Sequence, residues 1–202
     1  MYRLLTLLLM VPALAIAAPQ DAERFTHIAG VNLSDLPALK VLQKTFGVSS
    51  ITESGDAGNY DARICYRTPD KKAVVVFFHG EVDWGFVLRV PKPNDAKCPI
   101  SEEIKIRGLS NAEIRLGMDE AKYRHIMGKP YKETSNSLEH VFEYVHTLTD
   151  AELKQIVERS CKNGYPPSNP ENLRRWDVGI HIRATFTKGH LMSFTVSRTE
   201  TA

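Results

Sequence analysis

The stretch that decides the fold lies near the carboxyl end, where residues 178–196 read VGIHIRATFTKGHLMSFTV. Apolar side chains alternate with polar ones on both sides of the Lys188-Gly189 pair. Alternation with a period of two is typical of strands that bury one face. The stretch therefore predicts two antiparallel strands joined by a tight turn.

The two strands do not keep the same register through that turn. Keeping Phe186, Met192 and Phe194 on one face requires one residue more than a two-residue turn provides. We therefore predict a β-bulge near Gly189 or His190.

The rest of the chain extends this pattern into an α+β protein of two small modules, each a short helical opening followed by an antiparallel sheet. In the first half, apolar residues at spacings of three and four predict a helix from Leu33 to a glycine stop at Gly47, capped by Ser34 or Asp35. The β-branched and aromatic content then predicts strands at 63–66, 73–78 and 84–90, with a hairpin turn at 80–83.

The second half repeats the plan with one addition. Asp119 is placed to cap a helix that Gly128 ends, and residues 141–145 read as a strand. Thr149 and Glu152 then form a capping box that predicts a further helix to about residue 160, followed by a polar, Pro-rich loop. The similar openings favour a duplication, although an ordinary α+β protein can also show a helix and a hairpin twice.

These patterns predict the division of the chain. Residues 1–17 are expected to be a signal peptide, 18–90 a first module, and 91–100 a linker with three prolines. Residues 101–202 form the second module, in which 149–175 is a helix-loop insertion.

The signal peptide rests on three features. Arg3 supplies a positive start, residues 4–16 are almost wholly apolar, and Ala15-Ile16-Ala17 offers small residues at the cleavage position. The apolar run is short for a membrane span, so an uncleaved anchor is the weaker alternative. We expect a periplasmic or secreted protein without a lipid anchor, because the first cysteine is Cys65.

Three cysteines in an oxidising compartment leave one unpaired. We favour a Cys65–Cys98 disulfide over the two pairings that involve Cys161, although spacing alone leaves all three open. The formal net charge is +2, and residues of both signs are mixed along the chain. This pattern predicts no nucleic-acid partner. No apolar stretch after the signal peptide is long enough for a transmembrane segment.

The motifs of common enzymes are absent from the sequence. It contains no nucleophile elbow, zinc-protease motif, phosphate loop or Cys-x-x-Cys pair. The acids and the histidine at 79–83 fit a hairpin turn better than a metal site, and His140 and His146 read as strand-end residues. We expect no catalytic residues, no metal and no cofactor.

The insertion is the segment that we expect to carry recognition. Aromatic and guanidinium groups are enriched at protein interfaces, and loops on a rigid sheet often bind. An ordinary long loop is the alternative. The candidate binding residues are Tyr165, Arg174, Arg175 and Trp176 in the loop, with His181 and Arg183 on the polar face of the following strand.

The second half resembles a known family. Leu116-Gly117-Met118-Asp119-Glu120-Ala121, Ile126-Met127-Gly128-Lys129-Pro130 and Val141-Phe142-Glu143-Tyr144 are similar to the opening of the small-protein-A family, which includes the BamE component of outer-membrane β-barrel assembly. The β-lactamase inhibitor protein carries two related modules in tandem. The resemblance implies helices packed on a small antiparallel sheet.

These observations lead to three hypotheses for function. The first is an exported, non-catalytic module that binds another protein or an envelope component. The second, by similarity to the tandem inhibitor, is an inhibitor or immunity protein for a secreted enzyme. The third is a hydrolase without a known motif.

Overall fold

A single antiparallel sheet of eight strands is the frame of the molecule. The computed structural model describes residues 22–35, 38–56, 59–104, 113–162 and 164–201, so the expected signal peptide lies outside it. The eight strands are β3 (Thr52–Ser54), β4 (Asp61–Arg67), β5 (Val74–Gly80), β6 (Asp83–Arg89), β7 (Lys132–Glu133), β8 (Ser137–Thr147), β9 (Arg175–Thr187) and β10 (His190–Thr201). Before them, β1 (His27–Ile28) and β2 (Val31–Asn32) form a small two-stranded sheet.

The strand order is β3-β4-β5-β6-β10-β9-β8-β7, so the two halves of the chain meet where β6 pairs with β10. This pairing runs from Asp83 opposite Thr199 to Arg89 opposite Ser193. The α+β class is confirmed, but the expectation of two small modules, each with its own sheet, is wrong. Edge strands tend to find partners, and here the last strand of each half closes the open edge of the other. The halves are also unequal, because the second has longer strands and an additional helix. Duplication and the module boundaries stay predictions.

The helices are α1 (Leu39–Phe46), α2 (Glu120–Met127) and α3 (Asp150–Lys162). The helix that was expected to begin at Leu33 begins at Leu39 instead. The residues Leu33–Asp35 form a separate 3-10 turn, in which the Asn32 side chain accepts a hydrogen bond from the backbone N–H of Ser34. Ser34 and Asp35 therefore do not cap α1, which follows Ala38.

The predicted ends of α1 and α2 and the predicted cap of α3 agree with the structure. Gly47 and Gly128 end α1 and α2 with φ of 97° and 74°, in the region that glycine adopts without steric cost. The capping box of α3 is confirmed, because the Thr149 backbone N–H donates to Glu152 and the Glu152 N–H donates to Thr149 Oγ1. Asp119 occupies the position before α2 as predicted, but the predicted side-chain cap is wrong, because its carboxylate makes no hydrogen bond to the helix and lies 3.1 Å from His190 Nδ1.

One face of the sheet carries the hydrophobic core. Phe46 of α1 stacks on Phe77 of β5 with ring centroids 5.7 Å apart, and Tyr123 of α2 meets Phe186 of β9 edge to face at 5.3 Å. The N-terminal segment closes the same face at the other end, where Phe25 stacks on a ring of β8. No helix among the described residues is long and apolar enough to cross a membrane.

The bulge in the last hairpin exists, but its position was predicted wrongly. Leu191 is opposite Phe186 and Ser193 is opposite Thr185, so the extra residue is Met192. Leu191 is fully buried and Met192 is not, so the register shift after Leu191 places Leu191, and not Met192 as predicted, on the core face beside Phe186.

The segment 91–100 is tied to the sheet. The Cys65–Cys98 disulfide is confirmed, and Cys161 is free and exposed. Arg89 forms a paired hydrogen bond with Asp95, and this contact holds the pKa of Asp95 below its usual value. The disulfide is consistent with an oxidising compartment outside the cytoplasm.

Candidate functional site

The second face of the sheet is not covered at its centre by any described segment, and we call it the open face. Antiparallel strands expose alternate side chains, so one set faces the core and the other set forms this surface. Its exposed or half-buried side chains are Thr52, Ser54, Asp61, Arg63, Cys65, Arg67, Val76, Phe78, Asp83, Val87 and Arg89 in the first half and Lys132, Ser137, Glu139, Val141, Glu143, Val145, Thr147, Arg175, Asp177, His181, Arg183, Thr185, Ser193, Thr195, Ser197, Thr199 and Thr201 in the second.

A shallow depression of about 540 Å³ occupies the middle of the open face. It extends from Phe78 on β5 across Ser197 on β10 to Val141 on β8. At its β6 side, Gly85 has no side chain and lies against β10 and under the Phe78 ring. A Cβ placed there would come within 2.0 Å of the Val196 carbonyl oxygen and 2.8 Å of Phe78 Cζ. The depression has apolar rims and a hydroxyl-rich floor.

The charges of the open face have an unusual composition. Every lysine of the chain lies outside the six long strands β4–β6 and β8–β10, whereas arginines are frequent in them. Arg183 is 63% exposed and donates to Glu139 at 2.8 Å, and Arg63 donates to Asp61 at 2.6 Å. Depletion of lysine with retention of arginine is the composition of interface centres.

The structure separates the predicted binding residues into two groups. His181 and Arg183 are two residues apart on β9, and both belong to the open face. Trp176 lies on the core side of the same strand, and its indole N–H donates to the Leu173 carbonyl oxygen at 2.6 Å.

The loop residues have varied roles. Arg174 donates to both Glu171 and Asp150, and these ion pairs fasten the loop to α3. They also raise the pKa of Arg174 above its usual value. Tyr165 is 80% exposed, and Arg175 is exposed at the start of β9. Tyr165 is therefore available on the loop, whereas Arg175 lies on the open-face side of β9, at the opposite end of the strand from Arg183.

The histidines considered as metal ligands are dispersed. His140 is buried against Tyr123 of α2, with ring centroids 5.8 Å apart, and burial lowers its pKa. His146 lies 3.6 Å from Glu152. Residues 80–83 form the predicted hairpin turn between the paired residues His79 and Trp84. Among the described residues, no group of three or more histidine, cysteine or acidic side chains is arranged to hold a metal ion.

Sequence reasoning missed the contributions of β5 and β6 to the open face. Residues 74–78 are apolar without interruption, so alternation does not tell which side Phe78 occupies. Comparison of the chain with family models, with curated proteins and with solved structures finds no match. The resemblance to the small-protein-A family stays a prediction.

Proposed function

We propose that the protein is an exported, non-catalytic module that binds another folded protein through the open face. The observation that carries the proposal is the composition of this face, whose six long strands contain exposed arginines but no lysine, with a central aromatic side chain, Phe78, while Lys132 stands on the short edge strand β7.

The size of the open face supports a protein as the partner. The six long strands, about 4.8 Å apart, give a width of about 24 Å, and seven-residue strands give a height of about 24 Å. The resulting area of about 580 Å², part of which segment 91–100 covers around Cys65, lies at the lower end of what one partner contributes to a protein–protein interface. We assign the depression to an apolar projection of that partner.

The charge pattern supports a specific contact. Arg183 and Glu139 are paired with each other near the centre, as are Arg63 and Asp61 near β3. The face therefore offers charges of both signs at fixed positions, an arrangement that selects a complementary partner more than it increases affinity. The expected compartment restricts the partner to proteins of the envelope or the exterior.

The first experiment locates the interface. A photo-reactive amino acid replaces Ser197 in the depression, or Lys40 on the outer face of α1 as the control. We expect Ser197 to cross-link one protein of an envelope extract and Lys40 to cross-link none. A cross-link to a second copy of the chain, or the same protein from both positions, would contradict the proposal.

The second experiment measures the purified partner. We expect Phe78→Ala to weaken binding at least tenfold, as for a central anchor residue. Tyr131→Ala is the control, because Tyr131 is an exposed aromatic residue outside the open face. Tyr165→Ala tests the loop hypothesis. If only Tyr165→Ala weakens binding, the loop carries recognition and the proposal for the open face is wrong.

A further inference from the structure

A second depression, with a volume of about 840 Å³, lies on the opposite side of the sheet from the open face, and we call it the cleft. One wall is the N-terminal segment before α1, with Glu23 and Asn32. The other wall is α3, and the ends of β8, β9 and β10 form the floor. Its volume is in the range of small-molecule sites, which occur where separate elements converge.

Helix α3 is placed as a wall of this cleft and contributes little to the core. Only Leu153 of the helix is buried. The residues that line the cleft are Glu152, Gln155, Ile156, Arg159 and Ser160. Their spacing of three, four, seven and eight residues defines one continuous helical face. The structure therefore directs a whole face of an additional helix at an open space.

The floor of the cleft contains a charged side chain that is almost fully buried. The Arg198 side chain is 5% exposed, and its Nη1 donates to Glu23 at 2.7 Å while its Nε donates to Glu200 at 2.7 Å. Tyr144 donates its hydroxyl to Glu23 as well. A buried guanidinium is retained only where such partners compensate its lost hydration, so these positions are held rigidly.

The protonation states of Glu23 and Tyr144 are also defined. Burial opposes ionisation of Glu23, but the hydrogen bonds from Tyr144 and Arg198 outweigh it and lower the pKa of Glu23. Burial, assisted by the hydrogen bond to Glu23, raises the pKa of Tyr144 to about 12. At neutral pH Glu23 is therefore a carboxylate and Tyr144 is a neutral phenol.

The cluster leaves hydrogen-bonding capacity unused. Among the described residues, none bonds to Nη2 of Arg198 or to Oε2 of Glu200. The first of these atoms is a donor and the second is an acceptor, and they belong to neighbouring side chains. An anion would meet the carboxylate and a cation would meet the guanidinium, whereas a hydroxyl group can accept from one and donate to the other.

From this geometry we propose that the cleft binds a neutral saccharide. Adjacent hydroxyls of the sugar bridge Arg198 and Glu200, and Gln155 and Asn32 on the two walls supply amide groups to further hydroxyls. Trp176 lines the same space and presents an aromatic surface to the apolar face of a sugar ring. The site is independent of the protein partner proposed for the open face.

The test uses the chain without its signal peptide and nuclear magnetic resonance spectra of amide and indole N–H groups. The neutral probes are maltose, cellobiose and N,N′-diacetylchitobiose, and the charged counterparts are glucuronate and glucosamine. We expect at least one neutral disaccharide to shift the Trp176 indole and the amides of α3 in a saturable way at millimolar concentration. No shift with any neutral disaccharide, or a shift with the charged sugars alone, would overturn the proposal.

Matched variants on α3 localise the binding without disturbing the buried cluster. Gln155→Ala should weaken the disaccharide about fivefold, the cost of one hydrogen bond. Lys154→Ala, on the outer side of the same helix where the side chain is 78% exposed, should leave the dissociation constant unchanged. Equal effects of the two variants would place the sugar elsewhere and contradict the proposal.

Discussion

The Cys65–Cys98 disulfide supports a quantitative prediction about folding stability. The bond joins residues 33 apart in sequence and closes the segment that contains β5 and β6 into a loop. In the chain-entropy model, closing a loop of this length lowers the conformational entropy of the unfolded ensemble by about 12.5 cal/mol/K. At 25 °C this corresponds to about 3.7 kcal/mol of stability.

The native structure should survive loss of the bond, because other contacts hold the same segment. Arg67 Nε donates to the Cys98 carbonyl oxygen at 2.7 Å, and the Arg67 backbone N–H donates to Pro99 at 2.8 Å. The Arg89–Asp95 pair fixes the preceding turn. The effect should therefore arise mainly in the unfolded state.

The assay is urea unfolding of the Cys65→Ala/Cys98→Ala variant, followed by circular dichroism, with Cys161→Ala as the background and control. We expect the double substitution to lower the free energy of unfolding by about 3 to 4 kcal/mol and the melting temperature by about 7–15 °C. Cys161 is exposed and unpaired, so Cys161→Ala alone should change stability by less than about 0.5 kcal/mol. A loss below about 1 kcal/mol would refute the entropy argument, and a variant without cooperative unfolding would refute the claim that the remaining contacts hold the segment.

Three further predictions concern the sheet and its core. Gly85→Ala should destabilise the protein by about 3 kcal/mol or more, because the added Cβ meets a backbone carbonyl of β10. Gly179→Ala should cost less, because its Cβ meets a hydroxyl group that can move, and thermal unfolding compares the two variants. Tyr123→Phe should leave stability unchanged or raise it, since the buried hydroxyl has no partner among the described residues. Tyr66→Phe should cost about 1 kcal/mol, because it loses a hydrogen bond to a carbonyl oxygen after α1, and urea unfolding distinguishes the two variants. Burial lowers the pKa of His140, so the unfolded chain binds the proton more readily than the folded chain. The stability present at neutral pH should therefore decrease as the pH falls below about 6.5. His140→Gln should remove this part of the dependence of stability on pH, as measured by urea unfolding at several pH values.

Local patterns in the sequence predicted the elements well where a residue type carries its own conformational preference. Gly47 and Gly128 end helices because they adopt positive φ, and Thr149 and Glu152 bond each other across one turn. The strand alternation around His181 likewise showed which side chains leave the core. Each of these signals is contained within a few residues.

The features that the sequence did not reveal depend on distant partners. Nothing local to residues 83–89 indicates pairing with residues 193–199, and this pairing turns two expected modules into one sheet. Arg198 is similar, because a charged residue on a strand reads as exposed. It is buried with partners that include Glu23, which is distant along the chain. The partners of such groups are set by the tertiary fold, which periodicity does not encode.

The two proposed sites share β8, β9 and β10, but strand alternation places them on opposite faces. His181 and Ser197 are opposite each other on the open face, whereas Ile180 and Arg198 are paired on the core side. Consecutive residues therefore serve different surfaces, and substitutions at Ser197 need not alter the cleft. Binding at the two sites should be additive, unless the strands themselves move. A disaccharide that changed the affinity for the protein partner would mean that the three strands have two arrangements, which a rigid eight-stranded sheet does not provide.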